Sequence, residues 1–163
     1  MTTVSEADLA SYLADIVEWG ERFALAFVGV EDGLLLGREP DGALVIDLEG
    51  RLPTAPGTRA PELDVFERWR SAPGAGFRRA EYRFELRHHQ LDYRRGLHGH
   101  DEAHFVRQYQ VATHEHCEAV MGVELCGHYF GFPVQSAIDG MSRLYDVWLG
   151  NRKPDCSVLR CLG

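Results

Sequence analysis

Alternation of polar and apolar side chains in the middle of the chain constrains the fold most strongly. In residues 81–93 the apolar residues Tyr82, Phe84 and Leu86 occupy alternate, even-numbered positions. The odd-numbered positions hold the polar residues Arg83, Glu85, Arg87 and His89. Because successive side chains of a strand point to opposite sides of its sheet, this pattern predicts a strand with one buried face and one polar face.

The flanking segments predict helices before, between and after the strands. Residues 5–19 have helical periodicity, with Ser5 as the N-cap and Asp8 three residues on. Strand-like runs follow at 22–30, 33–37 and 43–49. Pro61 favours a short helix over 61–71, and residues 134–150 show the clearest amphipathic pattern.

These elements predict an α+β fold in which an antiparallel sheet of about five to six strands is accompanied by N-terminal, short middle and C-terminal helices. Residues 1–163 read as a single domain, in which a Pro/Gly-rich loop joins lobes 1–50 and 61–163. The N-terminus has no basic stretch followed by an apolar one, and no apolar run is long enough for a membrane span. We therefore expect a cytoplasmic protein without membrane contact.

All eight histidines lie between His88 and His128, and six of them form two groups. The first, in the glycine-containing segment 96–105, is expected to form a loop. Its histidines are His98, His100 and His104, close to Asp101 and Glu102. A pair spaced as HxH with a third histidine four residues on can converge on a metal and leave one coordination position open.

The second group occupies residues 114–128. His114 and His116 share one parity, as do Cys126 and His128, and the intervening AVMG can turn the chain. If the two segments pair antiparallel, they present four ligands suited to tetrahedral zinc. With His104 and His114 on one strand, their separation would be about 33 Å, so the sequence predicts two distinct sites.

The four cysteines leave further alternatives open. In a reducing cytosol they are expected to be free thiols or metal ligands rather than disulfides. Cys117 could pair with Cys126, or a four-cysteine zinc site could form. Its members would be Cys117, Cys126, Cys156 and Cys161.

Three functions are compatible with these patterns. The favoured one is a zinc-binding domain with hydrolase activity on a phosphoester or other anionic substrate, in which arginines hold the anion. A metal-free RNase is the first alternative, since residues 68–107 hold nine arginines and five acids although the chain carries a net charge of -8. The other is a non-catalytic adaptor with a protein partner or a second copy. The candidate catalytic residues are Arg87, His89, Glu102 and His104.

Overall fold

The computed structural model describes residues 4–28, 34–74, 76–109, 111–123, 126–149 and 155–162. The helices are α1 (Glu6–Arg22), α2 (Ala103–Tyr109) and α3 (Ala137–Leu149). The strands are β1 (Ala26–Phe27), β2 (Leu34–Arg38), β3 (Leu44–Arg51), β4 (Glu62–Ala72), β5 (Gly76–His88), β6 (Tyr93–His100), β7 (Thr113–Glu118) and β8 (Tyr129–Phe130). Short 3₁₀ turns cover His89–Leu91 and Cys156–Val158.

The eight strands form one antiparallel sheet in the order β1-β3-β4-β5-β6-β7-β8, and β2 also pairs with β3. The predicted α+β class and both terminal helices are confirmed, while the number of strands is higher than expected. Residues 29 and 30 of the predicted first strand, residue 33 of the predicted second strand and residue 150 at the end of the last helix lie outside the described residues. Within the described chain, none of the helices combines the length and apolar composition needed to cross a membrane.

The helix α1 begins as its sequence predicts. The Ser5 hydroxyl accepts a hydrogen bond from the Asp8 amide at 3.2 Å, and the Asp8 carboxylate accepts one from the Ser5 amide at 2.9 Å. This reciprocal capping box satisfies amides that the first turn of a helix leaves without partners. The helix continues three residues beyond the predicted end and stops at Arg22, with Phe23 as its C-cap.

The predicted short helix over residues 61–71 is wrong, because this segment is the strand β4. Its alternation becomes visible once Glu67 is counted with the buried residues Leu63, Val65 and Trp69. Glu67 lies within the core and is fully buried. Because a charged residue occupies one of the inward-facing positions, the alternation of apolar and polar residues cannot be recognised from the sequence.

Two expectations about residues 96–116 are also wrong. Residues 96–100 of the predicted loop belong to β6, and 103–109 form α2 rather than the beginning of a strand. Glycine suggested the loop, yet Gly99 is needed in the sheet because a Cβ there would lie 2.2 Å from the Tyr82 ring. Gly99 thus gives Tyr82 room against β6.

The core lies between one face of the sheet and the two long helices. Phe84 is fully buried, and α3 approaches so closely that a Cβ on Gly140 would lie 2.4 Å from its ring. The indole N–H of Trp19 on α1 donates to the Ser142 hydroxyl on α3 at 3.1 Å, which joins the helices to each other.

The side of strands β4 to β7 that faces away from the helices is termed the polar face, and the strand register shows which residues lie on it. Arg83 is opposite Phe66 and His98, and Glu85 is opposite Asp64 and Gly96. Directly opposed residues of antiparallel strands project to the same side. The alternation predicted for β5 therefore holds: Arg83, Glu85 and Arg87 share the polar face, and Phe84 faces the helices.

We expect Phe84→Ala to lower the free energy of unfolding by about 3–5 kcal/mol, because it opens a cavity between β5 and α3. The matched variant Arg83→Ala changes an exposed neighbour in the same strand and should alter stability by less than about 0.5 kcal/mol. Urea titrations of both variants measure the difference. Equal losses would contradict the assignment of these neighbours to opposite faces.

Candidate metal centre

Pairing of β6 with β7 brings the two histidine groups of the sequence together. His98 is opposite His114, and Gly96 is opposite His116. The segment before β8 adds His128, since β8 pairs with β7 through Phe130 and His114. The prediction of two separate sites is wrong for these residues, because His98 and His100 lie on β6 beside β7. Five histidines form what we call the histidine cluster: His98, His100, His114, His116 and His128.

Each imidazole ring of the cluster lies within contact distance of at least one other ring of the cluster. Ring centroids are 4.4 Å apart for His98 and His116, and 4.6 Å apart for His116 and His128. His114 lies at the centre, 4.7 Å from His128 and 5.1 Å from His100. Three residues, His98, His114 and His116, offer one ring nitrogen each within 4.8 Å of one another. We call these three the inner triad.

Burial keeps the centre of the cluster uncharged. The His114 side chain is buried, and His116 is half-buried. Desolvation, assisted by neighbouring histidines, lowers the pKa of both His114 and His116 to about 3. At neutral pH both rings are therefore neutral imidazoles, which is the protonation state that binds a metal ion.

Glu85 holds His98 from the adjacent strand. Its Oε1 lies 3.1 Å from His98 Nε2, and it also accepts a hydrogen bond from Arg94 Nη2 at 2.7 Å. Burial raises the pKa of Glu85, but the hydrogen bonds from His98 and Arg94 outweigh this effect and lower the pKa to about 2. An ionised carboxylate only accepts, so Nε2 of His98 carries a proton, and in the neutral tautomer the lone pair is then on Nδ1.

Arg94 extends this support to the end of β7. Its Nη1 donates to Glu118 Oε1 at 2.6 Å, and the second oxygen of Glu118 accepts from the Gly122 amide at 2.7 Å. The result is a continuous chain of charge-assisted hydrogen bonds from a turn to His98. Carboxylates that orient ligating histidines in this way fix both the ring and its tautomer.

Gly96 provides the space in which the His98 ring lies. A Cβ at this position would be 3.1 Å from His98 Nε2 and 3.3 Å from the Cβ of His116. Gly96 is opposite both Glu85 and His116, so the ring of His98 crosses it to reach the carboxylate. The sequence places Glu85 among the polar positions of β5, but only the strand register identifies His98 as its partner and explains the role of Gly96.

The four cysteines form two disulfides, and this corrects the expectation of free thiols, of a Cys117–Cys126 pair or of a four-cysteine zinc site. Cys117 is bonded to Cys156, and Cys126 is bonded to Cys161. Cys126 is therefore held as a disulfide sulfur rather than as the thiolate ligand that the sequence predicted. The C-terminal segment also pairs with the strand that follows His128, since Leu162 donates its amide to the His128 carbonyl at 2.9 Å.

The four predicted catalytic residues do not form one group. Arg87 forms an ion pair with Asp64, and His89 Nε2 lies 3.0 Å from Glu62. By contrast, Glu102 pairs with Arg70 at 2.7 Å and with His104 at 3.3 Å. Glu62 and Arg70 lie eight residues apart on β4, which places the two pairs about 26 Å from each other.

A groove of about 620 Å³ lies on the polar face beside Glu85. The charged residues that line it are Asp64, Arg83, Glu85, Arg87, Arg94 and Glu118. Three arginines balance three acids, so the groove has no net charge. Arg83 has no ion-pair partner among the described residues, and its guanidinium lies 5.3 Å from the centre of the Phe66 ring.

Comparisons with protein-family models, with curated proteins and with solved structures each gave no match. The functional inference therefore depends on the geometry of the histidine cluster and the neighbouring groove.

We expect the His98 ring of metal-free protein at pH 7 to carry its proton on Nε2. Long-range ¹H–¹⁵N spectra of the imidazoles distinguish this tautomer from the Nδ1–H form. Glu85→Gln should shift the His98 nitrogen signals because a neutral amide replaces the carboxylate. The exposed His104, whose carboxylate neighbour is Glu102, serves as the unchanged control. An Nδ1–H tautomer of His98 would contradict the proposed orientation.

Proposed function

We propose that the protein binds one transition metal ion, with zinc as the preferred ion, at the inner triad. The observation that carries this proposal is the convergence of three ring nitrogens within 4.8 Å, with His114 buried and His98 and His116 half-buried. Three histidines are a ligand set that zinc uses in catalytic sites, where the fourth position holds water or substrate.

The ligand atoms follow from the surroundings of the triad. His98 would coordinate through Nδ1, because Glu85 binds its Nε2. Tetrahedral ligands at about 2.0–2.1 Å from zinc lie roughly 3.3 Å apart, so the triad would have to contract around the ion. The neighbouring His128 ring, which contacts His114 and His116, is the nearest candidate for a fourth ligand.

We expect metal-free protein to take up one zinc ion per chain in native mass spectrometry. His114→Ala should abolish stoichiometric binding. Gly96→Ala should weaken it about tenfold or more, because the added Cβ would displace the His98 ring from Glu85. Loss of such an outer partner typically costs 10–100-fold in affinity. His104→Ala is the matched control, since it removes an exposed histidine on α2. Competition with a chromophoric chelator gives the affinities.

Two results would contradict the metal proposal. One is an unchanged mass after zinc is added to protein without a histidine tag. The other is zinc binding that His114→Ala leaves intact while His104→Ala removes it. Circular dichroism of each variant establishes that a lost affinity does not come from a lost fold.

Hydrolysis of a monoanionic ester at the bound metal is the second candidate function. Arg83 favours it, because this cation lacks an ion-pair partner among the described residues and is directly opposite His98. A zinc ion would supply a water of lowered pKa. The neutral groove argues against the predicted RNase activity, because a polyanion is attracted by a surplus of positive charge.

We expect zinc-loaded protein to hydrolyse bis(4-nitrophenyl) phosphate. Arg83→Gln should raise KM several-fold with little change in kcat, because the arginine would bind the anion in both ground and transition states. Arg68→Gln is the control: it removes another arginine of the polar face, which is paired with Glu39 and Asp41. Activity that persists without metal would exclude this second function while leaving the metal site intact.

In the non-catalytic alternative, the same metal ion would stabilise the fold and take no part in a reaction. Binding of a protein partner or of a second copy of the chain stays a prediction. The predicted cytoplasmic location also stays a prediction. The two disulfides favour an oxidising compartment instead, because cytosolic thiols are normally kept reduced.

A further inference from the structure

A second cavity, of about 720 Å³, opens on the helix-covered side of the sheet. It lies between the N-terminal half of α1, the strands β5 and β6, and residues 133–135. Its apolar and aromatic walls include Leu9, Tyr12, Trp69, Tyr82 and Val134. This volume and lining are typical of pockets that enclose a small organic molecule.

The base of this cavity is a buried polar network with no net charge. Arg79 Nη1 donates to Glu67 at 2.6 Å, and the Tyr12 hydroxyl donates to the same carboxylate at 2.9 Å. Trp69 Nε1 also donates to Glu67 at 3.1 Å. Since Glu67 neutralises Arg79, the base does not offer an anionic ligand an unpaired positive charge.

The rim of the cavity carries two negative charges. Asp8 and Asp15 are exposed and lie two turns apart on α1, on the side that faces the opening. Hydrogen bonds from Ser5 lower the pKa of Asp8, which keeps this carboxylate ionised. Apart from Arg79, no Lys or Arg side chain of the described residues lines the cavity. His100 also lines it, and burial lowers the pKa of its imidazole, which favours the neutral ring. The cavity therefore combines aromatic walls with a negative entrance.

We propose that this cavity binds a small amphipathic cation, a molecule with an aromatic ring and an ammonium group. The ring would lie against Trp69 and Tyr82, and the ammonium group would remain at the rim near Asp15. Aromatic faces and carboxylates both attract a cation, and the apolar walls favour the ring. The site does not require a metal: of the histidine cluster, His100 lines the cavity, while the three residues of the inner triad do not.

The experiment uses the full chain after treatment with a chelator, so its outcome is independent of zinc. Isothermal titration calorimetry is performed with 2-(1-naphthyl)ethylamine and with the alcohol and carboxylate of the same shape. We expect the amine to bind with a dissociation constant of about 10 µM to 1 mM, the range available to so small a ligand. The alcohol should bind more weakly, and the carboxylate should bind most weakly.

Two variants locate the site. Ser11→Trp places an indole on the exposed side of α1 at the opening and should abolish binding of the amine. Asp15→Asn should weaken it by about two- to fivefold, as expected for a solvent-exposed charge pair. The matched control Asp146→Asn changes an exposed aspartate on α3 that does not line the cavity, and should leave binding unchanged.

Failure of the amine to bind overturns the proposal. Binding that Ser11→Trp leaves unaltered also overturns it, because the molecule would then occupy another place. A carboxylate that binds as tightly as the amine, or an Asp15→Asn variant with unchanged affinity, overturns the assignment of a cationic ligand. Circular dichroism of each variant confirms that the helix α1 is intact.

Discussion

The buried ion pair between Glu67 and Arg79 connects the sheet to both long helices. Arg79 also donates to the Val134 carbonyl just before α3, while Tyr12 of α1 bonds to Glu67 and accepts from the Ala137 amide. Burial raises the pKa of Glu67, and the attraction of Arg79 opposes this shift. A carboxylate without these partners would be an uncompensated buried charge. This pair thus connects Tyr12 of α1 and the residue Val134 before α3 to β4 and β5.

The sequence was sufficient to predict those parts of the fold that depend on local chemistry. Ser5 and Asp8 indicated the beginning of α1, and the alternation around Phe84 indicated both faces of β5. The prediction failed at Glu67 and at Gly99, where a distant partner determines the local pattern. A buried glutamate is tolerated only because Arg79 reaches it, and a glycine belongs in β6 because Tyr82 occupies its side-chain space. Neither partner can be identified from spacing alone.

The candidate site was predictable as a set of residue types but not as a geometry. Five of the six predicted ligands, His98, His100, His114, His116 and His128, belong to the histidine cluster. Cys126 was the exception, because its sulfur is bonded to Cys161. The pairing of β6 with β7 places His98 opposite His114, and this register required knowledge that residues 93–100 form a strand. The contributions of Glu85 and Gly96 follow from the same register, so they could not be inferred before it.

The crossed order of the disulfides has a consequence for the unfolded chain. Cys117–Cys156 spans 39 residues and Cys126–Cys161 spans 35, so the two covalent rings share the segment between Cys126 and Cys156. Covalent rings of this size restrict the conformations of the unfolded chain, which reduces the conformational entropy lost on folding. His128 lies in the shared segment, and His116 is bonded along the chain to Cys117. These two imidazoles therefore remain tethered near each other in the denatured ensemble, whereas His98 must be recruited by folding of the sheet.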